Sequence, residues 1–401
     1  MRPFDGRRVL LVVSGGIAAY KAAALARRLI EAGAAVEVIL TEAAERFVGR
    51  VTFEGITGRR VHTSLWDQPM AHLDLGRDAD VVVIAPASAD LISKLAVGAA
   101  QDLATTTVLA ARGPVIVCPA MNTRMWEHPA TRANVERLVE YGCTVAGPAD
   151  GPLAEGESGP GRLLEPGEIV PLVGRALEPA KGLSGRKVIA TAGPTRAALD
   201  PVRFITNRSS GRMGFALAEA AWRRGGDVTL ISGPGAAPRP AGPTVVEVET
   251  AREMLAELKT ALTDAEILLM AAAVGDFEPS AEAASKIRKT DGGLDLTLRT
   301  GPDLLMETRA LRDAKGVFTL GFALETDDLL SRGRAKLERK GMHLVAVNSA
   351  LEPEAGFESP TNRITLLDRA GAVEELPLAR KTELADQLLD RVEASIAAAE
   401  A

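Results

Sequence analysis

The feature that most restricts this chain is an alternation, begun twice, of a short apolar run, a turn of small residues and a longer amphipathic stretch. The first series starts at Arg7-Arg8-Val9-Leu10 and the second at Gly185-Arg186-Lys187-Val188. Short continuous apolar runs read as buried strands, and apolar positions recurring every three to four residues read as helices. In the first half this predicts strands at 8–13, 35–40, 79–85 and 114–118, with helices at 17–32, 89–97, 103–110 and 129–141. Strands separated by helices pair in parallel, giving an α/β unit of three layers with both sheet faces covered. Right-handed crossovers then gather the loops that leave the strands along one edge.

At 401 residues the chain exceeds what one core ordinarily fills, and two units are expected. The run Glu178-Pro179-Ala180-Lys181-Gly182-Leu183-Ser184-Gly185 reads as the boundary, giving units 1–177 and 186–401 joined by a linker, 178–185. Between Gly147 and Gly167, Gly, Pro and Glu crowd together, so that stretch is expected to be irregular and to cover a site, with a short helix at 171–177 after it. In the second half, strands at 187–191, 227–231, 266–270, 316–320 and 343–347 and helices at 214–224, 251–262 and 328–340 suggest a Rossmann-like unit. A hairpin-like pair at 362–378 and a helix from 382 to about 397 close it. Residues 281–299 break the rhythm: they pass Lys286, Arg288 and Lys289, cross Asp291-Gly292-Gly293 and return as an extended excursion.

A formal charge of −6 opposes broad affinity for nucleic acid, whose phosphates would meet net repulsion. Two cysteines, Cys118 and Cys143, are too few for a disulfide scaffold or a thiolate cluster. The apolar run at 8–13 is a strand in length rather than a signal peptide, and no later run is long enough for a bilayer. The expectation is a soluble cytoplasmic protein with no membrane partner.

Ligand sites in such sheets belong at strand ends. Three loops of the first half qualify: Ser14-Gly15-Gly16-Ile17, Ala85-Pro86-Ala87-Ser88-Ala89-Asp90, and Pro119-Ala120-Met121-Asn122-Thr123-Arg124-Met125-Trp126. Small residues admit a phosphate to backbone N–H groups, and Asn122 can both donate and accept. Each loop is equally readable as a compact connection, with Met121, Met125 and Trp126 as ordinary packing. His72, one of four histidines, suits acid–base work or a surface role. In the second half, Asp200 to Gly214 joins a strand to a helix and carries Arg203, Asn207 and Arg212, which can supply charge and directional hydrogen bonds. It can also be read as a polar loop capping a helix through Ser209 or Ser210.

Together these motifs are identified by their resemblance to known families. The loops at Ser14, Ser88 and Pro119, with His72, resemble the flavin-dependent phosphopantothenoylcysteine decarboxylases. The Asp200 to Gly214 block resembles the phosphopantothenate-cysteine ligases, and both families in this order resemble the bifunctional proteins of bacterial coenzyme A biosynthesis. The resemblance implies FMN bound between subunits, touching Ser14, Gly15, Gly16 and Ser88. It implies His72 as the catalytic histidine, Asn122 on the substrate carboxylate, and Met121 and Met125 around it. For the second half it implies that 4′-phosphopantothenate reacts with CTP to form an acyl-cytidylate, which L-cysteine then attacks, releasing CMP. Asn207 would contact the acyl-cytidylate, Arg203 the substrate's anionic part, and Lys286 would activate the carboxylate, with Lys289 as a neighbouring phosphate ligand. Ala273, Asp276, Pro302, Asp303, Phe322, Lys336 and Lys340 would surround the nucleotide, Asp276 also meeting Mg²⁺. Homo-oligomerisation follows from the same resemblance: decarboxylase trimers and ligase dimers assembled into a dodecamer.

One position departs from that pattern. Glu155 stands where the decarboxylases usually carry the cysteine implicated in the last protonation and reduction. A buried glutamate with a raised pKa could deliver that proton. The alternative is an active ligase joined to a flavin unit whose decarboxylation is impaired or altered.

Overall fold

A computed structural model describes residues 2–154, 156–178, 181–235, 237–289, 294–352 and 359–400. Glu155 and the expected turn Asp291-Gly292-Gly293 lie outside the described residues. The chain divides into two compact units, Met1–Pro179 and Ala180–Ala401. Glu178 is buried and ion-paired to Arg2 at 3.1 Å within the first unit. Leu183 is fully buried in a core of the second, so the expected linker is anchored on either side of its undescribed residues.

The first sheet contains β1 (Arg8–Val13), β2 (Ala35–Leu40), β3 (Val81–Ala87), β4 (Val115–Pro119) and β5 (Thr144–Val145). Its order is β2-β1-β3-β4-β5 with every pair parallel. Side chains alternate across a strand, and here both faces are buried. Val9, Leu11 and Val13 pack with the helices Ala19–Ala32 and Pro166–Leu177, while Leu10 and Val12 pack with Ala89–Ala96 and Leu103–Ala110. The order turns back on itself between β1 and β3, which opens a crevice at their carboxyl ends.

Several boundaries differ from the sequence reading. The first helix starts at Ala19 because the Ala19 N–H closes a turn on Gly16 O, so 17 and 18 are turn residues. The last helix of this unit runs from Pro166, where Glu165 and Glu168 form a reciprocal cap, and Pro171 lies inside it. The stretch expected to be irregular forms an antiparallel hairpin, β6 (Ala149–Pro152) with β7 (Ser158–Arg162). Gly161 is what lets that hairpin dock: a Cβ there would lie 2.2 Å from Met121 O.

The second unit adds β8 (Lys187–Ala192), β9 (Arg196–Ala198), β10 (Phe204–Thr206), β11 (Asp227–Ser232), β12 (Thr244–Glu247), β13 (Ile267–Met270), β14 (Phe277–Pro279), β15 (Leu298–Thr300), β16 (Phe318–Glu325), β17 (Leu344–Ser349), β18 (Thr361–Asp368) and β19 (Val373–Arg380). Its main sheet runs β12-β11-β8-β13-β16-β17-β18-β19. It is mixed: β12 to β17 are parallel, and β18 and β19 are added antiparallel as the expected hairpin. Two small ribbons, β9 with β10 and β14 with β15, stand apart from it, the second carrying the excursion. Helix Arg212–Arg223 lies so close on β8 that a Cβ at Gly214 would sit 2.5 Å from Thr191 O. Among the described residues no helix is long and apolar enough to cross a membrane.

The terminal helix, Lys381–Glu400, is clamped to Arg212–Arg223 by charge, with Arg223, Arg224 and Asp386 buried and Asp390 and Glu393 at the rim. Arg224, with no exposed surface, reaches Asp390 at 2.9 Å, Glu393 at 3.2 Å and Asp386 at 3.5 Å, while Arg223 binds Asp386 at 2.7 Å. Removing one member of a buried cluster strands the charges left behind. Asp386→Asn is therefore expected to lower the stability of the second unit by roughly 3 kcal/mol, read as a lower urea midpoint at unchanged slope. A shift worth less than about 1 kcal/mol would show the clamp to be dispensable.

Candidate active sites

In the first unit a cavity of about 700 Å³ opens at the carboxyl ends of β1, β2 and β3, lined by Ser14, Gly15, Thr41, Ser88, Lys94 and Met125 among others. Ser14 is buried; its Oγ donates to Pro86 O at 2.7 Å and accepts the Ser88 N–H at 2.8 Å, tying the two strand ends together. The Ser88 Oγ in turn accepts the Leu91 N–H at 3.3 Å and caps helix Ala89–Ala96. Both hydroxyls are thus occupied in building the site. Gly15 is required by packing, since a Cβ there would be 2.5 Å from Ala43 Cβ. Helix Ala19–Ala32 begins without a side-chain cap.

Asn122 caps the short helix Thr123–Glu127, its Oδ1 accepting the Arg124 N–H at 2.8 Å. Met125 lines the cavity and is half exposed, whereas Met121 packs against the core and its N–H bonds Gly161 O at 2.9 Å. His72 is half-buried on helix Ala71–Asp78 and is not among the residues lining this cavity. Sequence reasoning missed Thr41 and its neighbours after β2, although they occupy the same strand-end position as Ser14; the loop has no glycine to draw attention. Cys118 is fully buried, which pushes its thiol up to about 12, and Cys143 is raised in the same way. Neither is a ready thiolate.

In the second unit a cleft of about 370 Å³ lies at the carboxyl ends of β8, β13, β16 and β17. It is lined by Asn207, Ser209 to Gly214, Met270 to Val274, Asp276, Pro302, Asp303, Phe322, Lys336, Lys340, Asn348 and Lys381. Buried hydroxyls hold the loop after β13: Thr191 Oγ1 accepts the Ala271 and Ala272 N–H groups, each at 3.1 Å, and Thr195 Oγ1 accepts that of Gly275 at 2.9 Å. The Asn207 amide completes this, donating to Ala273 O at 3.2 Å and Val274 O at 3.0 Å. Its remaining capacity as placed is the acceptor Oδ1.

Asp303 caps helix Leu304–Glu307 and pairs with Lys340 at 3.1 Å, while Lys336 pairs with the buried Glu325 at 2.6 Å. Lys336 and Lys340, four residues apart on helix Leu329–Lys340, both line the cleft. The Gly301 N–H donates to Asp276 O at 2.9 Å. Lys381, missed in the sequence, is buried at the start of the terminal helix; burial and the neighbouring Arg212 lower its pKa to about 8. Its signal was position alone, the junction of a strand end and a helix start.

Arg203, Lys286 and Lys289 do not line this cleft. Lys286 and Lys289 are exposed on the excursion, which is anchored by a neighbour of both. The side chain of Asp200 is buried and accepts the N–H groups of Val202 and Arg203 at 2.8 Å and of Ile287 at 3.0 Å; Arg203 pairs with it at 2.8 Å and donates to Ile287 O at 3.0 Å. Burial pushes this carboxyl up, but the three backbone bonds and Arg203 outweigh it and hold its pKa below the ordinary aspartate value.

Two family models divide the chain: the flavoprotein family matches residues 2–178, and the DNA/pantothenate metabolism flavoprotein C-terminal domain matches 183–396. The coenzyme A biosynthesis bifunctional protein CoaBC of Vibrio cholerae is 43% identical over 395 residues, covering 97% of this chain and 98% of that one. The CoaBC protein of Mycolicibacterium smegmatis is 44% identical over 405 residues, 97% of each chain. The chain belongs to the CoaBC family of bifunctional coenzyme A biosynthesis proteins. A crystal structure of the C-terminal domain of a CoaBC protein is also similar, at 32% identity and a TM-score of 0.46, over 54% of this chain and 98% of that chain.

The Asp200 anchor is at full strength above the ordinary carboxylate range and is lost as the pH falls through the lowered pKa. Asp200→Ala is expected to free the excursion, so that trypsin cuts after Lys286, Arg288 and Lys289 about fivefold faster at neutral pH. Unchanged cleavage would show that Asp200 does not hold this segment.

Proposed function

We propose that each cleft carries one of two consecutive reactions. As a member of the CoaBC family the chain is a bifunctional enzyme, a CTP-dependent phosphopantothenate-cysteine ligase and an FMN-dependent phosphopantothenoylcysteine decarboxylase. The second unit makes 4′-phosphopantothenoyl-cysteine and the first converts it to 4′-phosphopantetheine. The observation that carries the ligase assignment is the gathering of Arg212, Lys336, Lys340 and Lys381 with the uncapped start of helix Arg212–Arg223 around one cleft. Cations and free helix N–H groups at one place suit a polyphosphate.

CTP fits that cleft with its phosphates toward Ser209 to Gly211 and the lysines, and its nucleoside along Ala273, Pro302 and Phe322. Phosphate would compete with Asp303 for Lys340 and with Glu325 for Lys336, so the carboxylates hold both lysines in place before the nucleotide arrives. Among the described residues no three acidic, histidine or cysteine side chains form a metal cage. Mg²⁺ therefore fits as an ion carried mainly by nucleotide phosphates, with Asp276 as its protein contact. The substrate carboxylate attacks the α-phosphorus and displaces pyrophosphate; the cysteine amine then attacks the acyl carbon and CMP leaves. Asn207 Oδ1 is placed to accept from the attacking amine or from a substrate N–H. Lys286 acts from the excursion, which Asp200 and Arg203 secure; Arg203 also meets the substrate's anionic part, and Lys289 is the neighbouring phosphate ligand. The strand order on the β8 side supports a Rossmann-like description of this unit.

In the first unit the Ser14 to Gly16 turn and the uncapped helix start suit the flavin phosphate, with Ser88 beside it. FMN supplies a two-electron acceptor and donor for the substrate's thiol carbon. The Asn122 amide holds the substrate carboxylate, Met125 bounds its pocket with Met121 behind, and His72 moves a proton from a neighbouring copy. The exposed apolar side chains of Phe47, Trp66, Met70 and Leu73 support such contacts between copies, and a dodecamer of trimers and dimers is part of the proposal. Glu155 takes the place of the proton-donating cysteine. A cytoplasmic location follows from the use of CTP and is likewise proposed.

The test is turnover of the purified chain with phosphopantothenate, cysteine, CTP, Mg²⁺ and FMN, products resolved by mass. The expected products are CMP, carbon dioxide and phosphopantetheine; accumulation of the cysteine adduct would sink the role given to Glu155. Because Lys381 loses its charge as the pH rises through about 8, the KM for CTP is expected to rise between neutral pH and pH 9. Lys381→Arg should flatten that dependence, and a flat wild-type profile would remove Lys381 from the site.

A further inference from the structure

Arg312 is 1% exposed and, among the described residues, forms no ion pair with a carboxylate. Its donors go instead to uncharged oxygens: Nε to Thr308 Oγ1 at 3.3 Å, Nη1 to Thr319 Oγ1 at 3.0 Å and to Gly341 O at 3.2 Å, Nη2 to Lys340 O at 2.7 Å and to Leu305 O at 2.8 Å. A buried guanidinium is costly unless every donor is met, and here the negative end of helix Leu329–Lys340 helps to offset the charge. Two of these acceptors, Leu305 O and Lys340 O, belong to residues that line the ligase cleft from separate elements. Leu305 directly follows Pro302, Asp303 and Leu304, whereas Lys340 ends the helix that also carries Lys336. Arg309 and Arg369 hold the same helix end through Arg339 O, Gly341 O and Met342 O, but these bonds do not reach the loop. One flat, forked side chain therefore spans from the loop to the helix, immediately behind the Asp303–Lys340 pair at 3.1 Å.

We propose that Arg312 is a positioning residue for the ligase: it fixes the Pro302–Leu305 loop against the end of helix Leu329–Lys340 and so sets Lys340 for the nucleotide. This rests on the assignment of the cleft to CTP. Arg312 touches no reacting atom. It acts by holding two backbone carbonyls in register, a task that needs several donors in one plane. A lysine keeps the charge but offers one ammonium, which cannot bridge both carbonyls and both threonines.

The experiment is steady-state ligase kinetics on the full chain, with decarboxylation of supplied phosphopantothenoylcysteine as an internal control on the other unit. Arg312→Lys is expected to raise the KM for CTP about tenfold while kcat changes less than about twofold, the pattern of lost nucleotide binding. In an Asp303→Asn background the same change should add less than about twofold, because both act on one brace. Thr319→Val leaves the guanidinium but removes one acceptor, and a rise of about threefold is expected; this variant carries the test if Arg312→Lys does not fold. A KM within about twofold of the parent in Arg312→Lys, or in Thr319→Val where that variant must stand in, overturns the proposal. So do effects of Arg312→Lys and Asp303→Asn that multiply. Lys340→Ala separates the two levels: if it leaves the KM for CTP unchanged, the nucleotide cleft itself is misassigned. If it raises KM and Arg312→Lys does not, the positioning role alone fails.

Discussion

The central strands of both main sheets are buried on their two faces, and that constraint decides where chemistry can happen. Val9, Leu11 and Val13 face one core and Leu10 and Val12 another, just as Ile267 and Leu269 oppose Leu268 and Met270 in the second unit. With no face of these central strands left to solvent, a ligand can meet their backbone N–H groups and polar side chains only at the strand ends. Each unit accordingly has its candidate cleft at the carboxyl edge, and small residues there let loops, helix starts and neighbouring hairpins approach at backbone distance.

A second regularity concerns what polar groups do in these clefts. Ser14, Ser88 and Asn122 in the first unit, and Thr191, Thr195 and Asn207 in the second, spend their side chains on N–H or carbonyl groups of adjacent loops. Lys336 and Lys340 are each held by an acid. Such groups build the loop first and face the ligand with whatever capacity remains, which fixes its geometry before binding. Arg312 extends this logic one layer deeper, where neutral carbonyls rather than carboxylates receive a buried charge.

Much of this was legible in the residues. Continuous apolar runs marked the central strands, and the small-residue loops after β1, β3, β4 and β8 marked the edge where both clefts lie. What was lost has physical causes. β5 has two residues and β12 has four, too short for a period to show. The hairpin of β6 and β7 is written in glycine and proline, the residues that normally argue against strands, because it must pack against the Asn122 loop without side chains in the way. Lys381 and Arg312 were invisible for another reason: nothing local distinguishes a buried cation from a surface one, and each is enclosed by elements other than its own. The excursion posed the opposite problem. Its basic cluster was conspicuous, yet Lys286 and Lys289 are exposed and the segment's attachment depends on Asp200, whose importance comes from three converging N–H groups.

The central claim is that the cleft between the Ser209–Gly211 turn and helix Leu329–Lys340 is where a nucleotide activates a carboxylate. A crystal of the full chain grown with CTP, Mg²⁺ and phosphopantothenate tests it most directly. The account predicts phosphate density within hydrogen-bond distance of the Ser209 to Gly211 backbone and of Lys336 or Lys340, with cytidine beside Ala273 and Phe322. Nucleotide density elsewhere, with this cleft holding only solvent, would contradict it.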